Sequence, residues 1–417
     1  MRKNIITGVS LVALSAGMAQ AGGWADSTLG TGFMYGDGSS AEISFGKIDY
    51  KIKAESALNY NSGQTSDVDV IKDSSKTSVA LKVATSDKLA FGLTSFRSGS
   101  IQMQGGAGDF ANGTFIPDAD ATLNTFALMG TYSINNSFDV LFGLSNEKLS
   151  DTSVSTIFGD YEISGASTNR PILGASYAIP DIALRVSATY MPKASMTASS
   201  SFTESHETAV LGVGDISFGD GLAADTEFGE GTTSGLLAAY GTGAPVADTL
   251  INISQISNDV ASYKSKIGLP ETVILDFQTG IAADTLLFGS ITHAKWSGAQ
   301  IVSDTGSEAT AISTEFEDTT AYSLGIGRKL NDNWSISASY SEEKGGGSTS
   351  GSLFTVSNGT KALTLGARYT RGDMTITGGV NMTEVGGVTI KTDTGTELAK
   401  YNTNRVTGLG LKIAFAF

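Results

Sequence analysis

The chain has 417 residues, a net charge of −15 and no cysteine. The lack of thiols excludes disulfide staples and thiolate metal sites, and the acidic balance argues against nucleic acid as a partner. Gly is abundant at 51 and Pro scarce at 6, which leaves long strand ladders uninterrupted.

Residues 1–4 are basic, 5–18 mostly apolar, and Ala19, Gln20 and Ala21 form a small-x-small cleavage site. The pattern predicts a secretory signal peptide over 1–21, cut before Gly22. Beyond it no run approaches the roughly 18 apolar residues of a spanning helix. The exported chain then belongs in the periplasm, outside the cell or in the outer membrane. Residues 22–40 precede the first strand; Trp24, Leu29, Phe33, Met34 and Tyr35 are their large apolar side chains.

From about residue 41 the chain alternates. Fourteen strands are predicted at about 41–54, 76–84, 88–97, 121–133, 137–149, 169–179, 182–199, 267–282, 285–297, 317–329, 333–344, 360–370, 373–390 and 403–417. In the first, Ile43 and Phe45 share one parity and Ile48, Tyr50 and Ile52 the other, which predicts a bulge near Gly46 or a strand that starts only at Lys47. In the third, Gly92 or Gly99 offers a place for a kink. In the last, Leu409, Leu411, Ile413, Phe415 and Phe417 oppose Gly408, Gly410, Lys412, Ala414 and Ala416. Alternation alone also fits a soluble sandwich; the connections decide. Six tight turns, near 85–87, 134–136, 180–181, 283–284, 330–333 and 371–372, alternate with longer polar links near 55–75, 98–120, 150–168, 200–266, 298–316, 345–359 and 391–402. Short turns on one rim and long loops on the other, with an even strand count, mark a transmembrane antiparallel β-barrel of the bacterial outer membrane. The barrel would occupy residues 41–417, behind a short plug segment over 22–40.

In the longest link, Pro245 opens a near-helical spacing of Val246, Leu250, Ile253, Ile256, Val260 and Tyr263. An amphipathic helix there is either a lid on the barrel rim or a docking groove for an apolar ligand, with Leu250, Ile253, Ile256 and Val260 as its contact face. The acidic run 215–225 does not have calcium-loop spacing. Inward parity offers Arg185, Arg368 and Lys412 near the short-turn ends. They suit a ligand carboxylate or a structural network with inward acids such as Asp139 and Asp276. Only two His are present, His206 and His293, and no nucleophile elbow. No enzyme, cofactor or metal site is expected.

Three stretches resemble the FadL-type family of outer-membrane transporters for long-chain fatty acids and other hydrophobic compounds. Residues 177–186, with Tyr177, Pro180, Asp181 and the run Ile182, Ala183, Leu184, Arg185, Val186, are similar to one family hairpin. Residues 271–290 are similar to another and are the more specific match; residues 360–417 follow the last three strands. The likeness runs from about residue 40 to the end. It implies a fourteen-stranded barrel with an N-terminal hatch. Ligand would be caught on extracellular loop helices, held in a barrel pocket and released sideways through a kink in the third strand. It also implies a monomer in contact with outer-membrane lipid and lipopolysaccharide. The family's longer hatch carries an Asn-Pro-Ala segment that is missing here, so Phe33 and Met34 are the plug residues that remain. The expected function is passive transport of a hydrophobic small molecule such as a fatty acid. A general porin and a structural or adhesive barrel are the alternatives.

Overall fold

The structure, a computed structural model, describes residues 24–56, 69–106, 116–156, 159–204, 261–304, 312–347, 349–392 and 395–417. Fourteen antiparallel strands form the wall: β1 (Ser40–Lys51), β2 (Ser74–Ala84), β3 (Leu89–Gln104), β4 (Asp118–Ser133), β5 (Phe138–Leu149), β6 (Ala166–Ile179), β7 (Leu184–Met191), β8 (Glu271–Ala282), β9 (Thr285–Lys295), β10 (Thr319–Lys329), β11 (Trp334–Lys344), β12 (Gly359–Arg371), β13 (Met374–Val385) and β14 (Asn404–Ala416). Each pairs with its neighbours, and β14 pairs with β1 from Ser40↔Ala416 to Lys51↔Arg405. The barrel is closed and has no free edge. Ser39 and Phe417 exchange two backbone hydrogen bonds, 3.0 and 3.3 Å, so both ends meet at the turn rim. The order and the count agree with the sequence reading.

Local chemistry sets the turns. The Asn135 Oδ1 accepts the N–H groups of Ser137 and Phe138 at 2.8 and 2.9 Å. The Asn331 Oδ1 accepts those of Asn333 and Trp334 at 3.0 and 2.9 Å. Positive φ at Ala183, Asp284 and Gly372 closes three other turns on the same rim.

The outward face changes character along each strand. On β4 it runs Asp118, Asp120, Thr122 and Asn124, then Phe126, Leu128, Gly130 and Tyr132. Phe126, Leu128 and Tyr132 are exposed, as are Phe142 and Leu144 on β5 and Leu409, Leu411 and Phe415 on β14. These side chains form a continuous apolar belt on the turn-rim side. Tilted ring pairs border it: Phe138 with Tyr177 at 4.8 Å and Trp334 with Tyr369 at 5.0 Å. An apolar belt with an aromatic girdle is the lipid-facing surface of an outer-membrane barrel. Nearer the loop rim the polarity inverts: Ala119, Ala121 and Leu123 of β4 point inward and are buried.

That inversion corrects the bulge expected in β1. Register with β14 and β2 runs through Gly46 without a shift. Phe45 faces lipid, while Ile48, Tyr50 and Ile52 face a buried core at the loop rim. The change of parity reflects a change of surroundings along one continuous strand.

Two loop boundaries also move. The link expected at 200–266 is partly strand. Beyond Pro192 and Lys193 the chain of β7 continues as Ala194–Glu204, and before Pro270 the chain of β8 is preceded by Ala261–Leu269; these two runs pair with each other. The link at 150–168 holds a hairpin, Thr152–Thr156 with Gly159–Ile163. No α-helix occurs among the described residues, only 3-10 turns. Tyr263, the end of the expected helix, lies in strand. Leu250, Ile253, Ile256 and Val260 lie outside the described residues, as do residues 1–23 and His206.

Candidate functional site

Residues 24–39 run inside the wall. Trp24 is 2% exposed and joins Leu123, Met196, Ile267, Trp296 and Phe316 in one apolar cluster. Leu29 and Met34 join Met129, Leu141 and Ile172 in another, with Phe33 and Tyr35 packed against it. Gly32–Tyr35 is a single 3-10 turn, closed by a 3.0 Å bond from the Met34 N–H to the Thr31 carbonyl. Thr31 reaches Thr189 of β7 at 3.2 Å, and the Lys82 ammonium donates to the Gly36 carbonyl. Two glycines of β3 leave room for this segment. A Cβ on Gly92 would sit 2.2 Å from the Met34 sulfur, and one on Gly99 would sit 2.9 Å from the Trp24 carbonyl oxygen.

The wall has an irregular place, and the segment lies across it. The β2–β3 ladder stops at Val79↔Ser95, so Ser74–Ser78 pair with β1 alone. Above that point β3 shifts register between Arg97 and Gly99, with Ser98 as the extra residue. The kink expected at Gly92 or Gly99 is thus at the Gly99 end; Gly92 sits in regular pairing with Lys82 and Met129. Higher still, Ile71 bridges Met103, and the Gln104 N–H bonds the Val70 carbonyl at 2.9 Å. Between these limits the wall has a window, roofed by residues 69–72.

The N-terminal chain fills the window edge as a short added strand. Ala25 bridges Gly99. The Ser98 carbonyl accepts the Asp26 N–H at 2.7 Å, and the Trp24 carbonyl accepts the Ser100 N–H at 2.9 Å. The Asp26 carboxylate, 3% exposed, holds Lys76 of β2 at 2.7 Å and the Arg97 Nε of β3. Arg97 also donates to the Ser74 hydroxyl. Charges from both sides of the window therefore meet on Asp26.

A second polar knot holds the bulge from within the sheet. The Thr125 hydroxyl bonds the Ser98 hydroxyl at 2.7 Å and donates to Glu147. Glu147 pairs with Arg170 at 3.0 Å, and Arg170 donates to the Pro270 carbonyl at 2.9 Å.

Two cavities flank the window. The upper one, about 60 Å³, is lined by Trp24, Tyr50, Ile101, Met103, Phe316 and Phe354, with Asp26 and Ser74 at its floor. Its aromatic and apolar side chains share the wall with Lys72, Ser100 and Gln102. The lower one, about 210 Å³, lies in the lumen and is mixed; Glu42, Lys76, Arg97, Arg185, Asp276 and Lys412 line it together with Leu29, Phe33, Phe96, Ile274, Phe277 and Phe288.

The sequence-derived residues divide accordingly. Phe33, Arg185 and Lys412 come to the lower cavity. Arg185 lies over the Tyr35 ring at 5.7 Å, donates to Gln278 at 3.3 Å and feels Asp276 and Asp139. Lys412 pairs with Glu42 at 3.5 Å, and Arg368 also feels Glu42. These cations sit among acids. Met34 packs on the wall away from them. Sequence reasoning missed Asp26, Lys76 and Arg97. Lys76 was readable as an inward cation from the parity of β2; Arg97 was not, because the bulge sets its direction. His293, at 2.9 Å from the Thr320 hydroxyl, is exposed on the outside of the wall.

A closed fourteen-stranded barrel with a lipid belt and a polar lumen defines an outer-membrane β-barrel protein, set in the bacterial outer membrane. Among such barrels the chain has the FadL-type fold. A FadL homologue from Pseudomonas aeruginosa superposes with a TM-score of 0.65 at 15% identity, over 97% of this chain and 98% of that one. The toluene transporter TodX of Pseudomonas putida gives 0.57 at 11% identity, over 100% and 95% of the two chains. The toluene transporter TbuX of Ralstonia pickettii gives 0.56 at 11%, over 97% of each. At these identities the likeness is one of fold. No family model and no curated protein matches the sequence.

Proposed function

We propose that this protein lets a hydrophobic small molecule cross the outer membrane passively. The ligand enters from the loop rim into the aromatic upper cavity and leaves sideways through the window between β2 and β3. The observation that carries this reading is the position of that cavity. It lies beside the place where the β2–β3 ladder stops, and Trp24, Ile101, Met103, Phe316 and Phe354 are among its walls. An apolar molecule in the upper cavity would keep its hydrophobic burial by moving outward into lipid. The neighbouring folds include transporters named for toluene and a FadL homologue, and both support a hydrophobic cargo. Residues 24–39 act as the hatch in this reading. The protein works as a monomer surrounded by lipid and lipopolysaccharide.

Ligand binding to the detergent-folded barrel tests it, with a fluorescent long-chain fatty acid and toluene as probes. Saturable binding of either probe is expected, at least tenfold weaker in Ile101→Asp, which places a charge in the upper cavity. Absence of saturable binding of both probes to the wild type, together with sugar permeation in liposome swelling, would replace the reading with a porin.

A further inference from the structure

We propose that the outside of the wall carries a docking site for a phosphorylated glycolipid of the outer leaflet. Lys361 and Arg405 hold its phosphates at the upper edge of the apolar belt, and a furrow below them takes an acyl chain. The site is separate from the cavities of the transport reading and rests only on the membrane placement of the barrel.

Cross-strand register sets the head-group contacts. Lys361 of β12, Glu384 of β13, Arg405 of β14 and Lys51 of β1 are successive partners in one row across adjacent strands, and all are exposed. The row lies where the belt ends. On the outward face Lys361 follows Leu363, Glu384 follows Met382 and Lys47 follows Phe45. Lys47, Lys51, Lys361 and Arg405 face only Asp49 and Glu384 in this sector, although the chain as a whole carries −15. Lys51 is held by Asp49 at 3.1 Å and Asp69 at 3.6 Å. Lys361 and Arg405 both stand opposite Glu384, yet neither forms a salt bridge among the described residues. Their strands are two apart, so the two cations are roughly 10 Å from each other at the backbone. A phosphate monoester carries more charge than the single carboxylate between them and offers several acceptor oxygens, so it draws both.

Below the row the surface suits a lipid tail. Ala367 of β12 lies directly opposite Gly378 of β13. A Cβ on Gly378 would meet nothing closer than 4.0 Å. These two small residues leave a furrow beneath Leu365 and Val380, which are both exposed. Cations set over an apolar strip are the two-part pattern of an anionic-lipid site. The belt edge on β4, β5 and β6 lacks it. There the corresponding places hold Asn124, Asn146 and Asn169, and the last two bond each other at 2.9 Å. The long-loop rim faces the cell exterior, where the leaflet lipid is lipopolysaccharide. Its membrane anchor, lipid A, is a phosphorylated glucosamine disaccharide bearing several acyl chains, and this head and tail match the row and the furrow.

The test is binding of lipid A to the folded barrel in detergent, read by microscale thermophoresis. Bis-phosphorylated lipid A should bind saturably, and its dephosphorylated form about tenfold more weakly or worse. Lys361→Gln with Arg405→Gln should lose about tenfold or more for the phosphorylated lipid and leave the dephosphorylated one unchanged. Lys148→Gln, an exposed cation on β5, should change neither. Gly378→Phe fills the furrow and should weaken both lipids alike. Equal binding of the two lipids to the wild type, an equal loss in Lys148→Gln, or no saturable binding at all would overturn the site. Full affinity in Gly378→Phe would overturn its acyl half. Heat-modifiable gel mobility checks that each variant is folded. Fatty acid and toluene binding at the upper cavity should be the same in the double variant as in the wild type, so failure of either reading shows without the other.

Discussion

Glu147 has no exposed surface, and both of its oxygens are engaged. Ser145 at 2.9 Å and Arg170 at 3.0 Å bind one, and the Thr125 hydroxyl binds the other. A buried ion pair of this kind adds little net stability, because desolvation offsets the attraction, but breaking it leaves a charge stranded. Glu147→Ala is therefore expected to lower the unfolding free energy by about 3–5 kcal/mol, read from urea titrations in vesicles. Replacing both partners, Glu147→Met with Arg170→Met, should recover most of that loss, and a double-mutant cycle isolates the coupling. Because Thr125 links Glu147 to the Ser98 hydroxyl, the single variant should also speed proteolysis at the window. At this scale the sequence was only partly legible. Strand parity points Arg185, Arg368 and Lys412 inward, and the structure places them among acids. The same parity could not aim Arg97, which sits at a register shift. Nor could it find Asp26, which lies in a stretch with no period and gains its meaning only from where the chain threads.

Along each strand one alternation serves two solvents. On β4 the outward face meets lipid at Leu128 and water at Asn124, four residues nearer the loop rim. A cation in the lipid belt is costly, whereas one above it stays hydrated. Leu128→Arg should therefore destabilise the barrel by about 2–4 kcal/mol, and Asn124→Arg by about 0–1 kcal/mol, both measured by urea unfolding in lipid vesicles. Equal costs would place the belt's edge elsewhere. The same inversion explains why β1 read as a bulged strand: Ile48 and Tyr50 share a face with Glu42 and Ser44, but they reach the core beneath the loops. Turns were legible because their chemistry is local; Asn135 and Asn331 close them with their own side chains. The loop strands Ala194–Glu204 and Ala261–Leu269 were not, because their pairing partners are distant in sequence and two prolines interrupt them.

For the whole molecule, the decisive quantity is how much of the lumen residues 24–39 close. A fourteen-stranded barrel is wider than its own wall side chains can fill. Here the remaining space is taken by Trp24, Leu29 and Met34, each at most 4% exposed, in clusters that draw on many strands. The lower cavity is about 210 Å³ and holds paired charges such as Lys412 with Glu42. A hydrated ion would have to displace the segment to pass. Wild-type protein in planar bilayers is therefore expected to show no steady conductance, and deletion of residues 24–38 should give stepwise open channels. Gly92→Leu offers a gentler version. Its new side chain would occupy the place of the Met34 sulfur, forcing the Gly32–Tyr35 turn off the wall while the fourteen strands stay paired. That variant should flicker between closed and conducting levels and should keep the heat-modifiable gel mobility of a folded barrel. Silent membranes for both variants would mean that the charged lumen, rather than the N-terminal segment, is the barrier to ions. The broken β2–β3 ladder would then be the remaining route through the wall.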